Sequence, residues 1–160
     1  MSKLAFSDIE FEIPDNWQDQ GMITLTIPST DKKVRPNIIC TKEILPQAVD
    51  LATYFNKIKE AVKARGIQSF QILDEREIKV AGVPAMQMVC AWDLEAMKQM
   101  LGDNPEALKN IQPGQKVQQI QVSFLVGEVA YNLTGSFPAD QFEIYGRPFQ
   151  KFIQSIKSIA

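Results

Sequence analysis

The 160-residue sequence contains no histidine. Serine–histidine and cysteine–histidine nucleophile systems therefore have no base, and zinc sites built on imidazole have no ligand. An enzyme made from this chain would have to work with carboxylates, lysines or a bound cofactor. The expectation is a non-enzyme, with no catalytic residue, no metal site and no cofactor. Cysteine is scarce as well: Cys40 and Cys90 each fall in a predicted strand. There a free thiol usually serves as a small buried hydrophobe rather than half of a disulfide. No apolar run is long enough to span a bilayer, and the opening residues Met1 to Asp8 lack the apolar core of a signal peptide. The expected address is the cytoplasm, with no direct membrane anchoring. Glycine-rich phosphate loops, low-complexity tracts and internal repeats are missing. Net charge is −2 with the basic residues scattered, so nucleic acid is not an expected partner.

What is present is an ordinary globular composition, 45% apolar and 22% charged. One domain over residues 1–160 is expected, large enough to bury a core without staples. Alternation predicts strands at 9–13, 22–27, 37–41, 70–73, 77–80, 85–92, 116–126 and 129–136. The polar residues 29–35 read as a hairpin loop, and Asp74-Glu75-Arg76 as a charged turn between two strands. Leu51, Tyr54, Phe55, Ile58 and Val62 recur at helical spacing and predict a helix over 48–65, with Gly66 as its C-terminal cap. Residues 94–111 read as two short helices around Gly102-Asp103-Asn104-Pro105, closed by a turn at Pro113-Gly114. A stripe of Phe142, Tyr145, Phe149, Phe152 and Ile156 predicts a last helix, which Pro148 either kinks or restarts. The order of elements argues for an α+β fold, an antiparallel sheet with helices packed on one face.

Several stretches invite a functional reading, and most have a plainer one. Trp17 after the turn at Pro14-Asp15-Asn16 reads best as a plug for the end of the sheet. The carboxylates of Asp74 to Glu77 read as a solvated charge run. Asn132-Leu133-Thr134 matches a glycosylation acceptor, which means nothing without a secretory signal. The polar strand faces are less ordinary. In the last hairpin Ile120, Val122 and Phe124 share one face with Val129, Tyr131 and Leu133. The opposite face carries Val117, Gln119, Gln121 and Ser123, with Asn132 and Thr134. Met22, Thr24 and Thr26 share a face of their own strand, as do Asn37, Ile39 and Thr41. Solvent faces of strands usually carry lysine and glutamate as protection against aggregation. Hydroxyls, amides and methionine without charge point instead to a face that a partner covers.

The stretch Phe11-Glu12-Ile13-Pro14-Asp15-Asn16-Trp17-Gln18-Asp19-Gln20 resembles the N-terminal signature of the DcrB-related family, and within it the effector-associated (Eag) chaperones of type VI secretion. The likeness continues through Ile27-Pro28, Ile38-Ile39-Cys40-Thr41-Lys42, Tyr54, Gln121-Val122, and Leu133-Thr134 to Pro138. It implies a PsbP-like fold and a homodimer. It also implies a role in shielding the hydrophobic, transmembrane-like N-terminal helices of a secreted effector before export. By motif position the client-binding residues would be Met22, Thr24, Asn37, Ile39, Thr41, Ile58, Val62, Val117 and Gln121. The family usually has isoleucine at the positions of Met22 and Thr24, and a shorter connection than 94–111. The alternative is an accessory PsbP-like, DcrB-related binding domain for an unidentified partner.

Overall fold

The structure is a computed structural model that describes residues 1–28, 36–67, 69–93 and 116–157. The expected hairpin loop over 29–35, the helices over 94–111 and the turn at 113–114 lie outside the described residues. Strands β1 (Ser2–Phe6) and β2 (Ile9–Ile13) form a two-stranded hairpin of their own. The main sheet comprises β3 (Met22–Thr26), β4 (Asn37–Ile44), β5 (Gln71–Val80), β6 (Val83–Asp93), β7 (Lys116–Val126) and β8 (Val129–Pro138). All neighbours are antiparallel, in the order β3-β4-β8-β7-β6-β5. Helix α1 (Leu51–Ala64) joins β4 to β5, and helix α2 (Phe142–Gln154) follows β8.

Alternation in β7 assigns the two faces. Ile120, Val122 and Phe124 point one way, in register with Val89, Gln87 and Ala85 of β6 and with Gly135, Leu133 and Tyr131 of β8. Tyr145, Phe149 and Ile153 of α2 bury against this set. Each such side chain contributes roughly 1.5–3 kcal/mol by leaving water. The close fit is made at Gly135. A Cβ there would lie 2.7 Å from the Phe137 ring and 2.8 Å from that of Phe149, and both rings are fully buried.

The other face of β6 presents Met88 and Cys90, and these cluster with Phe55 of α1. The helices therefore lie on opposite faces of the sheet. The α+β class and the antiparallel sheet are as expected from the sequence; the placement of both helices on one face is not. A helical stripe shows that a helix has an apolar side, but not which face of a sheet receives it.

Other elements differ in detail. β5 runs unbroken through Asp74-Glu75-Arg76, with a bulge between Ile72 and Asp74 instead of a turn. It is an edge strand, where charges are tolerated because one flank meets water. Pro148 sits inside a single continuous α2. The carbonyl it leaves unbonded, on Ile144, belongs to an exposed turn that water can reach. Trp17 is 64% exposed and plugs nothing. Gly66 caps α1 as expected: at φ +66° its N–H donates to the Lys63 carbonyl at 3.1 Å. Both cysteines are free, and burial pushes the Cys90 thiol up to about 12.

Two measurements test this account. Gly135→Ala should lose about 1–3 kcal/mol in urea unfolding, because neither buried ring has room to withdraw. The second concerns the start of α1, where the Asp50 carboxylate accepts from the Thr53 N–H at 2.7 Å. That backbone bond holds the Asp50 carboxyl below its ordinary 3.8. A depressed folded-state value means the cap is fully effective above the ordinary value and is lost as pH falls through the lowered one. Asp50→Asn keeps an acceptor but not the titration, so its melting temperature should fall less than that of the wild type as pH drops below about 4.

Candidate functional site

The face that α2 leaves free is shared between α1 and an open floor. Tyr54 at the start of α1 reaches the junction of β4 and β8. Its hydroxyl donates to Glu43 Oε2 at 3.2 Å and accepts from Asn132 Nδ2 at 2.7 Å. Asn132 Oδ1 in turn accepts from the Ser123 hydroxyl at 2.7 Å. Desolvation, more than the neighbouring Glu43 charge, pushes the Tyr54 phenol upward, so it stays a neutral donor. Further along α1, Lys59 pairs with Glu75 of β5 at 3.3 Å. The helix thus spans β8 to β5 and leaves β3, β4 and the far half of β8 and β7 open.

Strand register lays out this floor row by row. Thr26, Asn37, Ser136 and Gln119 form one row. Thr24, Ile39, Thr134 and Gln121 form the next, and Met22, Thr41, Asn132 and Ser123 the third. No charged side chain occurs in these rows. The amides are held in place: Gln121 Nε2 donates to Gln119 Oε1 at 2.7 Å, and Gln119 Nε2 donates to the Ser136 hydroxyl at 3.0 Å. Among the described residues Asn37 Oδ1 is buried with no donor, a position that ordinarily costs about 1–3 kcal/mol. Met22 is 68% exposed.

Six of the nine client-binding residues expected from the sequence therefore share one surface: Met22, Thr24, Asn37, Ile39, Thr41 and Gln121. The other three do not line it. Val62 and Val117 are buried, and Ile58 packs in a satellite cluster with Leu45, Tyr54 and Ala130. Helical spacing puts Ile58 and Val62 on the apolar side of α1, but that side meets the sheet and is not the margin of the open face. Gln119, Thr134 and Ser136 belong to the floor and are not among the nine. The signal for them is two-residue spacing from Gln121 and Asn132, which alternation makes cofacial.

Among the described residues the floor is open rather than enclosed. The larger concavity, of about 600 Å³, lies on the other face between α2 and β5–β6. It is lined by Arg76, Arg147 and Lys151 but also by Asp74 and Glu143. With the signs interleaved, no single charge is focused there. Among the described residues no group of histidine, cysteine and carboxylate side chains could hold a metal, and no helix is long and apolar enough to cross a membrane.

A family model described as DcrB matches residues 9–101, more than half of the chain. The chain belongs to the DcrB family. No curated protein matches this DcrB-family sequence. Among solved structures, PA94 from Pseudomonas aeruginosa, a protein of unknown function, aligns with a TM-score of 0.74 at 14% identity, covering 100% of this chain and 98% of that one. LpqN, involved in cell envelope biogenesis of Mycobacterium tuberculosis, aligns with a TM-score of 0.53 at 13% identity, covering 91% and 79%. CyanoP, a cyanobacterial PsbP from Synechocystis, aligns with a TM-score of 0.46 at 11% identity, covering 88% and 81%. Identities this low speak to the fold of the DcrB-family chain, and PA94 shares that fold from end to end.

The hydroxyl–amide chain makes its own prediction. Tyr54→Phe removes the bridge between Asn132 and Glu43 and leaves the half-buried Asn132 amide without its acceptor. Unfolding free energy should fall by about 1–3 kcal/mol, while Ser123→Ala in the same background should cost less than it does alone.

Proposed function

We propose that this DcrB-family chain is a non-catalytic adaptor chaperone, whose open sheet face shields hydrophobic, transmembrane-like helices of a type VI secretion effector in the cytoplasm before export. The observation that carries the reading is the floor itself: three rows of hydroxyls, amides, Met22 and Ile39 without a charge, exposed on β3 and half-buried across β4, β8 and β7, with only Ser123 fully buried. An apolar helix stays out of water only where its side chains meet apolar contacts, which Met22 and Ile39 offer. A wholly apolar floor would aggregate when empty. Interleaved amides and hydroxyls avoid that, and they can also bond the small polar side chains that such helices use to pack on one another. The dimensions agree: β3, β4 and β8 at ~4.8 Å spacing give a trough about 10–15 Å wide, and a helix with its side chains is ~10–12 Å across. Met22 suits a client surface of varied shape, because its side chain adapts. The secretion context is supported by the resemblance of residues 11–20 and the later strand motifs to the effector-associated chaperones.

The test is co-expression with an effector encoded beside this chain that has apolar N-terminal segments, followed by affinity purification of the complex. Ile39→Glu and Gln121→Lys each put an unpaired charge beneath a bound apolar helix, a desolvation cost of several kcal/mol. Both should lower client affinity by at least ~100-fold, with melting temperatures within a few degrees of the wild type. Client capture that survives both substitutions would remove the floor from the mechanism. A collapse of folding in either would show that the side chain supports the sheet instead.

A further inference from the structure

We infer that the concavity between α2 and the β5–β6 end of the sheet binds a short zwitterionic peptide of two or three residues. It lies on the face opposite the floor, so the site is independent of the client proposed above. Its volume of about 600 Å³ is that of a small-ligand site. Val89, Ile120 and Phe142 give it an apolar base, and its polar groups come in a fixed order.

A pair of amides joins the base to the wall. Gln87 lies on β6 between Arg76 and Val122 and is only 7% exposed. Its Oε1 accepts from Gln150 Nε2 of α2 at 3.1 Å. That bond uses half of each amide. The described residues give Gln87 Nε2 no acceptor and Gln150 Oε1 no donor. Among them the side-chain polar atom both sealed from solvent and unpaired is Asn37 Oδ1, so the two free amide atoms open into the concavity. A donor beside an acceptor is the complement of one peptide group. Turning both amides over leaves the same set.

Gly146 stands in the middle of α2, on the wall of the concavity. Glycine is the poorest helix former after proline, and the backbone does not require it here, since its φ lies outside the left-handed region. A Cβ would meet only Phe142, at an ordinary 3.8 Å, unlike the crowded position at Gly135. Pro148 constrains Arg147 and the Ile144 carbonyl, not residue 146. The glycine leaves the wall open, so a ligand can lie directly against the helix backbone.

The charges are ordered as well. Asp74 is already spent on Arg76, which reaches it through Nη2 at 2.6 Å and Nε at 2.7 Å. Glu143, Arg147 and Lys151 make no ion pair among the described residues. They follow one another at four-residue spacing, about 6 Å along the helix, in the order minus, plus, plus. A simple anion or cation would meet a like charge there. A zwitterion would set its ammonium at Glu143 and its carboxylate at Arg147 or Lys151, about 6 or 12 Å away. A chain advances ~3.3–3.6 Å per residue, so two or three residues fit. Their peptide group then falls at Gln87 and Gln150, and their side chains at the apolar base.

Nuclear magnetic resonance of the isotopically labelled 18.0 kDa chain tests the site with defined probes. These are di- and tripeptides of alanine, leucine and phenylalanine with free termini, titrated singly to ~10 mM, above the range of weak binding. At least one should saturate, moving the side-chain amide signals of Gln87 and Gln150 and the backbone signal of Gly146. Acetylating or amidating that peptide should weaken it at least ~10-fold, the loss of one charge-assisted contact. Arg147→Gln with Lys151→Gln should weaken the free peptide by a similar factor and leave the amidated one unchanged, a difference that loss of folding would not produce. Gly146→Leu should abolish binding, with a melting temperature no lower than that of the wild type. No saturable shift at these signals with any probe would overturn the inference. So would acetate or leucinamide binding as tightly as the best peptide, or a Gly146→Leu variant that binds normally or melts early.

Discussion

The pleat of β7 and β8 is the constraint on which the molecule turns. Neighbouring residues of these strands must point to opposite faces, so each strand carries two unrelated patterns on one backbone. Ile120, Val122 and Phe124 have to be apolar because α2 lies over them, and Gln119, Gln121 and Ser123 sit between them facing away. A slip of one residue would exchange the two sets and put amides under the aromatic rings of α2. Gly135 makes the assignment exclusive. The rings of Phe137 and Phe149 occupy the space a side chain would fill, so the helix rests directly on the strand. With α2 committed to one face and α1 crossing only part of the other, much of the polar half of the pattern is left uncovered by the described residues, although Ser123 and Asn132 are held beneath Tyr54 of α1.

Much of this is legible in the sequence because strands alternate whatever the tertiary context. The six residues Met22, Thr24, Asn37, Ile39, Thr41 and Gln121 come together through register alone, and a two-residue period is enough to group them within each strand. The period fails where geometry is not local. A helical stripe marks the buried side of α1 but not which face of the sheet it meets, so Ile58 and Val62 look like surface residues when they serve the interior. Val117 has the right parity but lies buried on β7. β5 reads as two strands because Asp74-Glu75-Arg76 has the composition of a turn. Only its place at the edge of the sheet explains how charges continue a ladder. β1 escapes notice because its partner is β2, outside the main sheet, so no long alternation announces it.

The hydrogen bonds of the polar face show how such a surface remains ordered without charge. Gln119 accepts from Gln121 and donates to Ser136, and Asn132 is held between Ser123 and Tyr54. Each amide is oriented before anything arrives, so little side-chain entropy remains to be lost on contact. Asn37 is the exception, with an acceptor that the described residues leave unpaired. It lies at the end of β4, in the row of Thr26 and Ser136.

The three rows of the floor consist of threonine, serine, asparagine, glutamine, methionine and isoleucine, none of which gains or loses a proton in ordinary biological conditions. With no histidine anywhere in the chain, the surface has no means of sensing mild acidification. Nor do its contacts depend on charge pairs that dissolved ions could screen. In the proposed function, binding at this surface would lose nothing to mild acidification or to the screening of charge pairs. Under the proposed function, release of the client would then be driven by another binding surface that competes for it, or by force applied along it.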